Sequence, residues 1–208
     1  RMLEDVGGMS YIGFLAAGIV CSSTMMSASF EAMYSAFSRM HVQKTWEAIL
    51  NAPLTLDDVV LGELAWAASK SFLSGSAVLI VAAVLGLVPS PLALAVLPLI
   101  LLTGLAFAGL GLIMTALSPS YDFFMYYFTL CVTPMMLLCG VFFPLDQLPA
   151  AAQTAAWLLP LTHAVALARP LVAGEIPAAW LLHIAVLAAY AVAGFHIALA
   201  LTRRRLLK

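Results

Sequence analysis

The sequence has 208 residues, of which 64% are hydrophobic and 9% are charged, and its formal net charge is −1. Soluble domains carry charges on about a quarter of their residues, so a chain this apolar cannot cover a water-facing surface and its exterior must face lipid. The near-zero net charge also excludes the basic field that nucleic-acid binding requires. The three cysteines lie in apolar runs and are interpreted as buried hydrophobic residues: Cys21, Cys131 and Cys139.

Five apolar runs are long enough for helices that cross the roughly 30 Å hydrocarbon core of a bilayer, which takes about 20 residues. They lie near residues 10–37, 63–88, 94–117, 122–143 and 178–202. Small residues in the third run, among them Gly104, Gly109 and Gly111, predict close approach of neighbouring helices. The predicted fold is an all-α, polytopic transmembrane domain that occupies residues 1–208.

The positions of Lys and Arg predict the orientation in the membrane, because cytoplasmic flanks carry the excess of both residues. Seven of the nine lie in or near the 38–62 segment and the C-terminal end: Arg39, Lys44, Lys70, Arg203, Arg204, Arg205 and Lys208. Only Arg1 and Arg169 lie on the other side. We therefore expect a cytoplasmic C-terminus and a periplasmic start, which predicts one further span before Arg1.

The 38–62 segment contains clear signals for two helices. Thr55 and Asp58 form the pattern of a capping box, so a helix is predicted to begin at Leu56. Pro53 ends a short separate helix over residues 44–51, because the residue before a proline is disfavoured in the α region.

Three apolar residues of this short helix, Trp46, Ile49 and Leu50, recur at helical spacing. An aromatic anchor on a small apolar face is typical of a helix that docks into a groove on a soluble protein. The alternative is a helix that lies on lipid headgroups. Acidic residues such as Glu47 and Asp57 weaken binding to an anionic leaflet, so we favour a protein partner.

The 140–177 segment departs from the spanning pattern, because glycines and prolines divide it into helical pieces of roughly 9 to 12 residues, too short to cross a bilayer. Broken backbone is tolerated at membrane depth only where protein or water satisfies its polar groups. We predict a re-entrant helical hairpin that enters from the outer face.

No catalytic, cofactor-binding or metal-binding motif is recognisable, because G-x-S-x-G, H-E-x-x-H, C-x-x-C and the P-loop are all missing from the sequence. The four histidines are scattered over a loop, the hairpin and the last span. An ion-coupled carrier is expected to place charges near the midplane, but Glu31, Glu63 and Lys70 lie near predicted cytoplasmic ends. Glu63 and Lys70, seven residues apart, are interpreted as neutralising each other.

The sequence resembles the permease subunits of type 2 ABC exporters over most of its length. The resemblance rests on the stretches FEAMYSAFSRMHVQKTWEAILNAPLTLDDVVLGELAWAASK, LSPSYDFFMYYFTLCVTPM, GVFFPLDQLP and LPLTHAVALARPLVAGE, in that order. It implies a permease of six helices, five of them present here, that pairs with a second copy and with two cytoplasmic ATPase subunits. It also implies that the partner ATPase, not this chain, binds ATP and magnesium.

The resemblance further implies outward movement of an amphipathic substrate, such as a lipooligosaccharide, across the bacterial inner membrane. The ATPase-coupling residues it implies are Lys44, Thr45, Trp46, Glu47, Leu50 and Pro53. The candidates for the substrate path are Ser22, Ser23, Thr24, Met25, Met26, Ser27, Phe142 and Phe143. Alternative functions are a drug or lipid exporter permease of the same type, a secondary carrier, and a membrane assembly subunit without ATP coupling.

Overall fold

The computed structural model describes residues 10–206, which are predominantly helical and contain no β-strand. The helices are α1 Tyr11–Val42, α2 Thr45–Leu50, α3 Leu56–Val84, α4 Pro91–Leu117, α5 Asp122–Leu138, α6 Ala150–Ala156, α7 Pro160–Ala173 and α8 Trp180–Leu206. The predicted all-α class is confirmed.

Four helices, α1, α3, α4 and α8, are long and apolar enough to cross a membrane. A fifth crossing is present if α6 and α7, which meet at an 89° bend, are counted as one broken span. The 122–143 run, predicted as a full span, forms the shorter helix α5. Cys139 leaves the helical region after it and Gly140 has a φ of +75°, which ends the helix.

The start of α3 follows the predicted capping box. The Thr55 hydroxyl accepts from the backbone N–H of Asp58, and the Asp58 carboxylate accepts from the backbone N–H of Thr55 at 2.8 Å. The helix ends at Val84 rather than at residue 88, because Gly86 takes a φ of +73° and turns the chain.

Helix α4 lies at the centre of the bundle, and its glycines explain how three helices approach it. Gly104 faces Ser71 of α3, Gly109 faces Gly194 of α8, and Gly111 faces Ala32 of α1. A Cβ added at Gly109 would lie 3.1 Å from the Cα of Gly194. The predicted close approach of neighbouring helices at these small residues is confirmed.

The lipid-accessible side of α5 is apolar. Met125, Leu130 and Leu137 are exposed along it. Cys131 is exposed on the same helix, so the prediction that all three cysteines are buried is wrong for this residue, whereas Cys21 and Cys139 are buried. An exposed thiol in this position fits an apolar, lipid-facing surface because a thiol is itself a small hydrophobic group.

Candidate functional site

The last third of α1 departs from regular α-helical geometry. It contains two π-helical turns, Glu31–Ser35 and Ser38–Val42. Turns of this kind hold an extra residue and occur frequently at functional sites, where they redirect side chains. Here they carry Glu31 and Arg39 in the part of α1 that faces α3.

Arg39 and Glu63 form a two-pronged ion pair between α1 and α3. The Nε of Arg39 donates to Oε1 of Glu63 at 2.7 Å, and its Nη2 donates to Oε2. Glu63 is 8% exposed. A carboxylate withdrawn from water this far is stable only with charged or hydrogen-bonded partners, which Arg39 supplies.

The second carboxylate of the cluster, Glu31, is also buried and is bonded on both oxygens. Its Oε2 accepts from Lys70 Nζ at 2.8 Å and from the Ser35 hydroxyl at 3.0 Å. Its Oε1 accepts from Trp66 Nε1 at 2.9 Å and from Arg39 at 3.2 Å. The prediction that Lys70 neutralises Glu63 is therefore wrong, because Lys70 pairs with Glu31 across the interface with α1.

We call Glu31, Arg39, Glu63 and Lys70 the charged network. Its ion pairs run from Lys70 to Glu31, from Glu31 to Arg39 and from Arg39 to Glu63, so that positive and negative charges alternate. The first and the last of these pairs join α1 to α3. Sharing of Arg39 between two carboxylates makes the ion pairs interdependent, so loss of one member leaves another charge without its partner.

Helix α2 connects to this network through Trp46. Lys44, with a φ of 54°, reverses the chain after α1 and precedes the first residue of α2. Trp46 is 2% exposed and donates its indole N–H to Oε1 of Glu63 at 2.9 Å. The expectation that Trp46 presents its ring to a partner is therefore wrong, since the ring anchors α2 to its own chain.

The outward surface of α2 is polar and small. Lys44 and Glu47 are exposed and lie 3.8 Å apart as an i,i+3 pair. Ala48 and Asn51 are exposed beside them, whereas Ile49 and Leu50 are half-buried. Pro53 and Leu54 extend this surface along the loop to α3.

An open cavity of about 530 Å³ lies between α2 and α3, next to the charged network. It is lined by Arg39, Ile49, Leu54, Asp58, Val59, Gly62, Glu63 and Trp66. Trp66 is 51% exposed. A partner that docks on α2 would therefore meet a concave surface beside the helix.

The candidate path residues on α1 fall into two groups, one buried in the core of the protomer and one partly exposed on its surface. Ser22, Thr24 and Met25 are buried, and the hydroxyls of Ser22 and Thr24 donate to carbonyls of α1 itself. In this structure these three residues therefore lie inside the protomer rather than on its surface, and their place in a substrate path stays a prediction. Ser23, Met26 and Ser27 are partly exposed.

These three residues belong to a stripe on α1 that also exposes Ile12, Ile19 and Phe30. The Ser23 hydroxyl is 2.8 Å from that of Ser74, which marks the edge of the stripe against α3. The remaining candidates follow α5, where Phe142 is 37% exposed and Phe143 is half-buried.

Two histidines that are twenty residues apart meet near the start of α8. Nδ1 of His163 is 2.8 Å from Nδ1 of His183, and Nε2 of His163 is 2.9 Å from the Trp157 carbonyl. Because a carbonyl only accepts, His163 carries its proton on Nε2 and its Nδ1 accepts from His183. The pair ties α7 to α8. Between residues 10 and 206, no group of three or more potential metal ligands is present.

The charged network as a whole was missed by reasoning from the sequence, although its members were visible. Glu31 and Arg39 are eight residues apart and Glu63 and Lys70 are seven apart, so each pair lies on one face of its helix. Each face carries one carboxylate and one cation, and two such faces within reach of each other indicate ion pairs between the helices.

Comparison with known proteins identifies the family. The family model described as ABC-2 type transporter matches residues 3–173. Nodulation protein J of Rhizobium leguminosarum bv. trifolii is 51% identical over 207 residues, covering 100% of this chain and 79% of the relative. Nodulation protein J of Rhizobium meliloti (strain 1021) is 49% identical over 206 residues, covering 99% and 79%.

A more distant relative is the inner membrane transport permease YadH of Escherichia coli (strain K12), which is 26% identical over 165 residues, covering 78% of this chain and 63% of the relative. No solved structure gives a significant match. The long apolar helices and the family match both indicate a membrane-spanning transporter subunit. This chain is a multi-pass membrane permease that belongs to the ABC-2 type transporter family.

Proposed function

We propose that this chain is the permease subunit of an ATP-driven exporter that moves an amphipathic substrate, such as a lipooligosaccharide, outward across the bacterial inner membrane. Two copies would pair with two ABC ATPase subunits resembling nodulation protein I, which bind ATP and magnesium. The membership of the ABC-2 family and the relatives named nodulation protein J support this proposal. The excess of Lys and Arg near α2 and at the C-terminal end supports a cytoplasmic location for both.

The observation that carries the proposal is the attachment of α2 to two membrane helices. Trp46 binds Glu63 of α3, and Glu63 binds Arg39 of α1. Because these bonds are charge-assisted and at least partly buried, a push on α2 is transmitted to α1 and α3 rather than absorbed by the loop. A short helix that lay loosely on the membrane could not do this.

In this mechanism the ATPase contacts the outward surface of α2, in particular Lys44 and Glu47. ATP-driven closure of the two ATPases then moves α2 together with the α1–α3 pair as a rigid body. The path lies between the α1 stripes of two copies and includes Ser23, Met26 and Ser27, with Phe142 and Phe143 at its outer end. Hydroxyl groups and flexible thioethers suit a substrate with both polar and apolar parts.

The test uses the permease and its ATPase co-reconstituted in proteoliposomes, with ATP hydrolysis, complex formation and substrate export measured together. We expect K44A/E47A to weaken ATPase binding at least about tenfold, the loss typical of interface anchors, and to reduce export in parallel. R204A is the matched control, because Arg204 is exposed near the same end of the bundle and forms no ion pair among residues 10–206.

Unchanged ATPase binding and export in K44A/E47A would refute docking on α2. Export that follows a proton gradient without ATP would instead favour a secondary carrier.

A further inference from the structure

The turn after α5 is pressed against the outer half of α1. Gly140 has a φ of +75° and begins the turn, and Val141 is fully buried behind it. A Cβ added at Gly18 of α1 would lie 2.6 Å from the Val141 carbonyl oxygen. The turn therefore rests on bare helix backbone, and its carbonyls point toward the interface with α1 and α7.

A single cation holds this turn. Arg169 of α7 donates from Nη2 to the Gly140 carbonyl and, at 3.5 Å, to that of Val141. The guanidinium carbon lies 3.4 Å from the ring centroid of Phe14 on α1. Arg169 thus joins α7, α1 and the turn, and the partners it has in the described part of the chain are neutral groups.

The charge of Arg169 has no anionic counterpart within the described part of the chain. Asp146 and Glu175, the carboxylates of neighbouring segments, form no ion pair with it. Its Nε is buried and has no hydrogen-bond partner among residues 10–206. A buried cation without an anionic partner costs free energy in a membrane protein. Charged residues in such positions are usually functional, for example in binding a ligand.

We propose that Arg169 binds the anionic headgroup of an amphiphile, a phosphate, sulfate or carboxylate, and that this binding releases the turn at residues 140–144 from α1. An oxyanion bonds a guanidinium through two parallel N–H groups and adds the attraction of a full opposite charge, which a neutral carbonyl lacks. Arg169 has intermediate exposure as a whole residue, and the proposal requires that an anion enter from the outer face to reach its guanidinium. Exposed Phe142 and Ile12 nearby along the turn and α1 offer apolar contacts for the hydrophobic part.

This inference gives the substrate class of the proposed exporter and in that respect rests on the proposed function. Binding at Arg169 requires no ATPase, however, so it can be tested on the permease alone. A failure of ATP coupling would not change the outcome of a binding experiment on the permease alone.

The experiment places a spin label just after the turn by D146C, at an exposed position, in a background where the three native cysteines are alanine, with the protein in phosphatidylcholine nanodiscs. Dodecyl phosphate and uncharged dodecyl maltoside are the probes, since they share a chain length and differ in headgroup charge. We expect dodecyl phosphate to mobilise the label at a half-saturating concentration about tenfold or more below that of dodecyl maltoside.

In R169Q the label should be mobile without any probe and unresponsive to dodecyl phosphate. R169K keeps the charge but loses the planar fork, so we expect a weaker response; this variant preserves the test if R169Q does not fold. A native protein that responds equally to both probes, or to neither, overturns the proposal. Equal sensitivity of R169K, R169Q and native protein to dodecyl phosphate overturns it as well.

Discussion

The indole N–H of Trp46 lies 2.9 Å from Oε1 of Glu63, and this one bond connects the short helix α2 to the membrane helix α3. Trp46 is 2% exposed, so its ring fixes α2 by packing while its N–H fixes the orientation of the ring. The helix has only six residues, which is too short for helical stability of its own. Its position therefore depends on this anchor.

Replacement of Trp46 by Phe should loosen α2 without unfolding the bundle. W46F keeps an aromatic ring but removes the donor to a buried carboxylate, which costs about 1–3 kcal/mol. We expect faster amide hydrogen exchange over residues 45–50. W66F is the control, because Trp66 makes the equivalent bond to Glu31 and does not touch α2 in this way. Exchange over 45–50 that is the same in W46F and native protein would contradict the anchor.

Loss of Arg39 should lower the free energy of unfolding more than loss of Arg203, which forms a similar ion pair in a more exposed position. R39A leaves the buried carboxylates of Glu31 and Glu63 with one fewer positive charge, and loss of a hydrogen-bonding partner by a buried charged group costs about 1–3 kcal/mol. Arg203 also pairs with both oxygens of a carboxylate, Asp57, but both side chains are about half exposed.

R203A should therefore cost no more than about 1 kcal/mol. The free energy of unfolding in mixed micelles measures both variants. Equal losses in R39A and R203A would show that the charged network contributes no more than a surface ion pair.

Gly18 should not tolerate a methyl group. In G18A the new Cβ would lie 2.6 Å from the Val141 carbonyl oxygen, so the turn at 140–144 must move away from α1. Gly62 of α3 is the matched control, because a Cβ there meets nothing within 4 Å.

G62A should be neutral or stabilising by up to about 1 kcal/mol through its higher helix propensity. Thermal unfolding in detergent should separate the two, with G18A lower than native protein. A G18A protein as stable as G62A would mean that the turn does not rest on α1.

The histidine pair should contribute to the packing of α7 on α8. H183A removes the donor to Nδ1 of His163 and leaves a buried acceptor unpaired, at a cost of about 1–3 kcal/mol. H196A, on the same helix but exposed, should change the free energy of unfolding by no more than about 0.5 kcal/mol. Equal effects of the two variants would argue that the His163–His183 bond is not formed in the membrane.

Composition and apolar run length were enough to predict the fold class, because lipid imposes a simple constraint on length and polarity. The capping box at Thr55 was also predictable from the sequence, because its bonds join residues within four positions of each other. The 122–143 run shows where this reasoning fails. Hydropathy continues past Leu138, but Gly140 breaks the helix, and hydropathy does not register backbone conformation.

The candidate site was less predictable than the fold because its contacts join distant parts of the chain. The spacing of Trp46 predicted an exposed anchor. In the structure Trp46 is buried and bonded to Glu63, which lies 17 positions further along the chain. Likewise, Ser22 and Ser23 are adjacent in sequence but face the core and the open side respectively. A helix face can be read from a periodic pattern only when its apolar and polar sides differ, and in a membrane helix both sides are apolar.

The contact between Gly109 of α4 and Gly194 of α8 has a consequence for motion. With backbones this close, one helix cannot slide along the other without driving the flanking side chains into main-chain atoms. We therefore expect α4 and α8 to move as one unit during transport, without sliding along each other. On this view the Gly109–Gly194 contact keeps these two helices together, as the ion pairs at Arg39 keep α1 and α3 together.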